Sequence, residues 1–128
     1  MSTESRTKYV GLPTKSGYKR LFGLLRKALE RLAWLAPKQI AYLIKHRVDA
    51  DDFALDHYEG VLMLDQFLEQ GLLPPSAAEK IRAVDRKLDE MSGAHNAHLW
   101  DDEALRNSPE WQDVRRLASA ALAELDKR

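Results

Sequence analysis

The chain contains no cysteine. That excludes disulfides and every thiolate-based zinc or iron–sulfur centre, and it suits a reducing compartment. Glycine and proline are sparse, with six and five residues, and no glycine-rich phosphate loop is present. No alternation of apolar and polar residues marks a strand. The most apolar stretch, Leu21 to Ala36, is interrupted by Arg26, Lys27, Glu30 and Arg31, so it cannot span a bilayer cheaply. Met1 to Gly11 is polar and lacks the apolar core of a secretory signal. A cytoplasmic protein without a transmembrane segment is therefore expected.

Net charge is also lacking, at zero from 20 Lys and Arg against 20 Asp and Glu. The zero hides a sorting. Residues 1–47 hold 11 basic and 2 acidic side chains, a balance of +9, and residues 48–128 hold 9 and 18, a balance of −9. A segregated field either closes on itself within the fold or points at a charged partner.

What is present reads as helix. At 128 residues the chain fits one domain and buries roughly two thirds of its unfolded surface. Residues 1–14 show no periodicity and are expected to form a flexible arm, with a helical bundle over 15–128. Helix one is predicted from about Gly17 to Ala36, capped by Ser16, with Leu21, Leu25, Ala28, Leu29, Leu32 and Ala36 on its apolar face. Pro37 then ends it and opens helix two, about Lys38 to Val48, with Ile40, Leu43, Ile44 and Arg47 on one face. The acids of the Asp49–Asp52 run supply the N-cap and first turn of helix three, about Asp52 to Gln70, which Gly71 stops. Ser76 and Glu79 form a capping box for helix four, whose seam is Ile81, Val84, Leu88 and Met91. After Gly93 and a loop over Ala94 to Leu99, Asp101, Asp102 and Glu103 begin a short turn. Ser108 and Pro109 start helix five, striped by Trp111, Val114, Ala118, Ala121, Leu122 and Leu125. The fold class is thus all-α, a single bundle of about five helices.

Candidate sites follow from residues that break the pattern. Arg20, Lys27 and Arg31 form a basic stripe on helix one, and Trp34 ends it. Trp and Arg together make binding hot spots; the alternative is that helix two folds back over Trp34 after the Pro37 turn. The stripe itself is a solvated face paired with the acidic half, a contact for an acidic protein or nucleic acid, or a surface for an anionic membrane. The near-neutral pI of 6.9 weighs against nucleic acid. Asp101, Asp102 and Glu103 are the acidic alternative contact. His95 and His98 with Asp101 and Asp102 resemble a metal cluster but lack the usual second pair of ligands. Asp65 is expected to be half-buried and paired with a cation from helix one, or to act as a raised-pKa acid. Asp56, His57, Tyr58 and Glu59 carry acid–base groups without a nucleophile beside them.

Two segments carry a resemblance. One is the Leu-Leu-Pro-Pro-Ser turn at 72–76 leading into Ile81 and Leu88. The other is Trp100, Leu105, Pro109-Glu110-Trp111, Arg115-Arg116-Leu117-Ala118 and Leu122. This pattern is similar to that of small bacterial immunity proteins, over about half the chain. The resemblance implies a non-enzymatic, cofactor-free cytoplasmic protein that neutralises a protein toxin by covering its active site; it transfers no site residues. The basic front half departs from the acidic surfaces common among nuclease inhibitors. A nucleic-acid-associated regulator using the basic helix, and a small enzyme or metal protein using the His95–Asp102 loop, are the alternatives.

Overall fold

The computed structural model describes residues 13–127, and among them there is helix and no strand. The order is α1 (Lys15–Ala33), α2 (Ala36–His46), α3 (Asp51–Val61), α4 (Leu64–Glu69), α5 (Pro75–Glu90), a 3₁₀ helix (Ala94–Trp100), α6 (Asp102–Asn107) and α7 (Pro109–Leu125). The expected arm lies outside the described residues except at its end, where Thr14 takes part in the fold.

Several boundaries differ from the sequence reading, each for a local reason. Thr14, not Ser16, caps α1: its hydroxyl accepts from the Gly17 amide at 3.0 Å. Ser76 and Glu79 form no capping box. The helix starts two residues earlier, at Pro75 with Pro74 in the cap position, and the Ser76 hydroxyl donates to Glu124 on α7 at 2.8 Å. The single helix expected over 52–70 is two helices. At Met63 the amide bonds Gly60 O, three residues back, and the ladder restarts with Phe67 on Met63 O. The break follows Gly60, the poorest helix former in that stretch. The expected loop at 94–99 is the 3₁₀ helix. Ser108, Gly71 and Gly93 do what the sequence suggests: Ser108 caps α7, while both glycines take positive φ.

Four of the longer helices form a ring, α1 against α3, α3 against α5, α5 against α7, and α7 against α1. Side-chain pairs fix alternating directions. Arg26 on α1 meets Asp126 just beyond α7 at 2.8 Å, and Lys87 near the end of α5 meets Asp113 near the start of α7 at 3.6 Å. Leu25, Leu29 and Leu32 from α1, Ile81, Val84 and Leu88 from α5, and Trp111, Val114 and Ala118 from α7 fill the centre. Burial of such side chains contributes roughly 1.5–3 kcal/mol each. Gly60 lets α3 approach α1: a methyl there would stand 2.5 Å from Cδ1 and 2.8 Å from Cβ of Leu25.

The expected five-helix bundle is therefore a four-helix ring with α2 and α6 packed together across one end. A polar clamp holds them. Gln39 of α2 is fully buried. Its amide donates to Arg31 O at 3.0 Å and Leu32 O at 3.3 Å, two carbonyls at the end of α1. Its oxygen accepts from Nε and Nη2 of Arg115 on α7, at 3.2 and 3.0 Å, and Arg115 also donates to Leu105 O of α6. Four helices thus meet at one amide.

Two measurements check this account. Gln39→Met keeps the side-chain length but strips the clamp, and a urea melt is expected to show a loss of about 2–3 kcal/mol, whereas the exposed Lys45→Ala should stay within about 0.5 kcal/mol. Gly60→Ala is expected to destabilise by about 1–3 kcal/mol through overpacking on Leu25, despite the better helix propensity of alanine. An unchanged melt for either Gln39→Met or Gly60→Ala would contradict the corresponding contact.

Candidate functional site

At the end of the ring closed by α2 and α6, an open groove of about 1160 Å³ separates two walls. One wall is the end of α2 with the start of α3, contributing Leu43, Ile44, Val48, Ala54 and Leu55. The other is the 3₁₀ helix with the start of α6, contributing Ala97 and Trp100. Ile44 and Leu55 are 70% and 56% exposed, unusual for large aliphatic side chains so close to the core.

Local chemistry sets each wall. Arg47 takes the left-handed conformation at φ 56°, and Val48 N bonds Leu43 O at 3.1 Å, which ends α2 and turns the chain into α3. Across the groove, two indoles pin the 3₁₀ helix. Trp100 Nε1 donates to Met91 O at 2.7 Å, and the buried Trp111 donates to Leu99 O at 2.6 Å. Their rings meet edge to face, 5.3 Å apart. The Asn96 amide donates to Glu90 O and Ser92 O at 3.1 and 2.9 Å, closing the end of α5.

The rim is acidic. Asp49, Asp51, Asp101, Asp102 and Glu103 line the groove, and among the described residues no Lys, Arg or His does. Part of this charge serves the helices. Asp101 Oδ1 accepts from Ala104 N at 2.8 Å as the cap of α6, and Asp51, Asp52, Asp102 and Glu103 sit in first turns, where the helix dipole favours them. Glu103 also accepts from Asn107. These helix-start carboxylates still face the groove, so the rim attracts cations.

The seven partner-binding candidates do not form one surface. Asp101, Asp102 and Glu103 are exposed on the groove rim. Arg20 and Lys27 are exposed on α1, and neither has an ion-pair partner among the described residues. Arg31 is half-buried, 3.8 Å from Asp56, with its guanidinium 5.0 Å from the Tyr42 ring centre. Trp34 is half-buried too, edge-on to Tyr42 at 5.7 Å with Lys38 Nζ 4.4 Å from its ring centre. Helix α2 does fold back over it.

Other candidates are displaced from the roles considered. Asp65 is not half-buried and does not pair with helix one. Its side chain is 82% exposed and meets Arg82 of α5 at 2.9 Å. His95 and His98 are exposed, and no group of three metal-ligating His, Asp or Glu side chains is found among the described residues. His57 and its neighbours diverge. Tyr58 and Glu59 face solvent, Asp56 is the partner of Arg31, and His57 is wholly buried. Neither His57 nitrogen has a hydrogen-bond partner, and Nδ1 lies 3.9 Å from Asp85 Oδ1, beyond bonding distance. Burial lowers its pKa to about 4, while burial and then Asp89 push the Asp85 carboxyl up.

Sequence reasoning did not find the apolar floor, which pairs residues near 44–55 with residues near 97–103. Its local signal was the set of acids at 49–52, read as helix starts alone.

His57 makes a pH-dependent contribution whose sign is fixed. Its folded pKa of about 4 lies below the 6.5 of a free imidazole, so folding favours the neutral ring. The contribution is complete above pH 6.5 and is lost as pH falls toward 4, a drop of about 3 kcal/mol. The raised pKa values of Asp56 and Asp85 act in the opposite direction at the acid end. Denaturant melts across this range should show the loss in the native protein and a flattened profile in His57→Leu; identical profiles would contradict it.

No protein-family model, curated protein or solved structure matches the chain.

Proposed function

We propose that this protein is a non-enzymatic binding module whose groove receives a basic, partly apolar segment of a protein partner. In its specific form the reading is an immunity protein of the cytoplasm that covers the active site of a toxin. One observation carries it: among the described residues, five carboxylates and no cation line a groove with an apolar floor in which Ile44 and Leu55 stand exposed. An aliphatic floor contributes affinity by leaving water, and an acidic rim contributes encounter rate and selection against acidic competitors. The non-enzymatic part rests on the dispersal of the acid–base groups. His57 is held neutral in the core, and the hydroxyl of Ser92, which lines the groove with the exposed acids, donates to Leu88 O at 2.9 Å and has no His or Lys among the described groove-lining residues to activate it.

The preference for a protein over a small ligand follows from shape. The groove is large, open to solvent and walled by helix ends, which suits the side chains of a helix or extended segment. Its rim repels phosphates, so nucleic acid does not bind there. The immunity reading adds to this only the resemblance of the segments at 72–88 and 100–122, and it is tested separately.

Trp100 lines the groove and reports on it. A synthetic helical peptide with Lys and Leu on one face is expected to shift the tryptophan emission in a Trp34→Phe background, where the half-buried Trp100 contributes to the signal and the other indole, Trp111, is wholly buried. Its affinity should fall as salt rises, because the rim charges are screened beyond about 10 Å at 0.1 M salt. Asp102→Lys with Glu103→Lys should weaken binding about a hundredfold. Salt-independent binding, or binding unchanged by the reversal, would sink the groove reading. For the immunity form, the product of the adjacent open reading frame is co-expressed: its toxicity should be relieved by the native protein and not by the reversed variant. A harmless neighbouring product would remove that form and leave the groove.

A further inference from the structure

The charge sorting seen in the sequence is mostly not resolved within the molecule. Among the described residues, two of the ion pairs join the basic front to the acidic back: Arg26 with Asp126, and Arg31 with Asp56. The remaining pairs stay within one half or the other. Among the described residues, two of the surfaces left over are opposite in sign and each has an aliphatic centre. One is the groove. The other is on α1, where Arg20, Leu24 and Lys27 follow one another at steps of four and three and so share a face. Leu24 is 53% exposed between the two cations. Lys15 and Lys19 add charge at the start of α1, which has no acid in its first turn. Cations there oppose the helix dipole, so helix stability does not explain them.

The two surfaces complement each other in kind. One is an aliphatic side chain between cations, and the other is an aliphatic cleft between acids. They cannot meet within one molecule. Lys27 follows Arg26, which is tied to Asp126 beyond the end of α7, whereas Asp101, Asp102 and Glu103 precede the start of α7. A helix of that length, 17 residues, holds its ends about 25 Å apart.

We infer that the groove takes the Arg20–Leu24–Lys27 face of a second copy of this chain, giving a head-to-tail contact that a partner must displace. The inference rests on the groove accepting a basic apolar face, and it adds the identity of the resident occupant. Because the two surfaces differ, each bound copy still offers a free groove or a free face. Association therefore grows with concentration, unless the geometry closes a ring. The contact holds the groove covered until a tighter basic segment arrives.

The test uses the full chain and two variants. Arg20→Glu with Lys27→Glu destroys the face and keeps the groove. Asp102→Lys with Glu103→Lys destroys the groove and keeps the face. All four sites are exposed, and circular dichroism melts check that both variants fold. In sedimentation velocity the native protein is expected to gain mass with concentration and lose it with added salt. Each variant alone should remain monomeric. Their equimolar mixture should form a one-to-one dimer and nothing larger, because one productive contact survives. A native protein that stays monomeric overturns the inference, as does a mixture that stays monomeric, or a dimer that survives in either variant. The helical Lys–Leu peptide separates the two readings. If it shifts the tryptophan emission while the native protein stays monomeric, self-association fails and the groove stands. If it also fails to bind, both readings fall.

Discussion

The arrangement depends on one buried amide. Gln39 has two kinds of work available to it, donation through its nitrogen and acceptance at its oxygen, and the fold uses both at once. Its nitrogen closes carbonyls at the end of α1, which a helix terminus leaves open. Its oxygen neutralises part of the desolvation of Arg115, whose guanidinium is otherwise disfavoured by burial. Arg115 passes the constraint to α6 through Leu105 O. Consequently α2 and α6 are fixed relative to each other, although they lie far apart in sequence. Those two helices carry opposite walls of the groove. A core of leucines alone would hold the four-helix ring together, but it would not set the distance between Ile44 and Asp102.

Electrostatics adds a second constraint. Several charges on α5 and α7 are paired with a near neighbour, as with Lys87 and Arg116 on Asp113 or Arg82 on Asp65. Exposed pairs of this kind contribute little, about 0–1 kcal/mol each. They bear on helix register more than on stability. The acids at the groove are different. Four of the five, Asp51, Asp101, Asp102 and Glu103, are placed by helix starts, where the dipole favours a negative charge. Those four carboxylates therefore have a structural reason to stand around one cleft with no cation among the described groove-lining residues. The charge that terminates two helices is the same charge that a basic partner meets.

Much of the fold was legible because its signals were local. The 81, 84, 88 and 91 seam of α5 and the Trp111 to Leu125 stripe of α7 are periodic, and their core members are buried. Ser108 caps the helix opened by Pro109, as its position requires. What escaped was decided by tertiary contact. The ladder shifts at Met63 after Gly60, and Gly60 is where Leu25 of a distant helix approaches. Ser76 has the sequence of a cap, but Glu124 competes for its hydroxyl. Asp65 looked half-buried on a continuous helix; the break leaves it facing solvent and Arg82. Of the candidate site, Asp101 to Glu103 were readable as exposed acids at a helix start. Their apolar counterpart was not, because Ile44 lies on the apolar face of α2 by periodicity and only the packing of α2 across the bundle end exposes it.

The same rigidity bears on how a partner could be held. Each wall is fixed by bonds made without a ligand: the left-handed turn at Arg47 on one side, the Trp100 and Trp111 indoles on the other. A preformed cleft loses little conformational entropy when it is filled, so a modest floor of Ile44, Leu55 and Trp100 can be enough for useful affinity. The cost is a standing exposed apolar patch, which in a freely diffusing protein invites unwanted association. An acidic rim limits that association to basic surfaces. On this chain one such basic surface is its own α1 face, carrying Leu24 at its centre. Net neutrality therefore does not make the molecule electrostatically inert: it makes each copy complementary to the next.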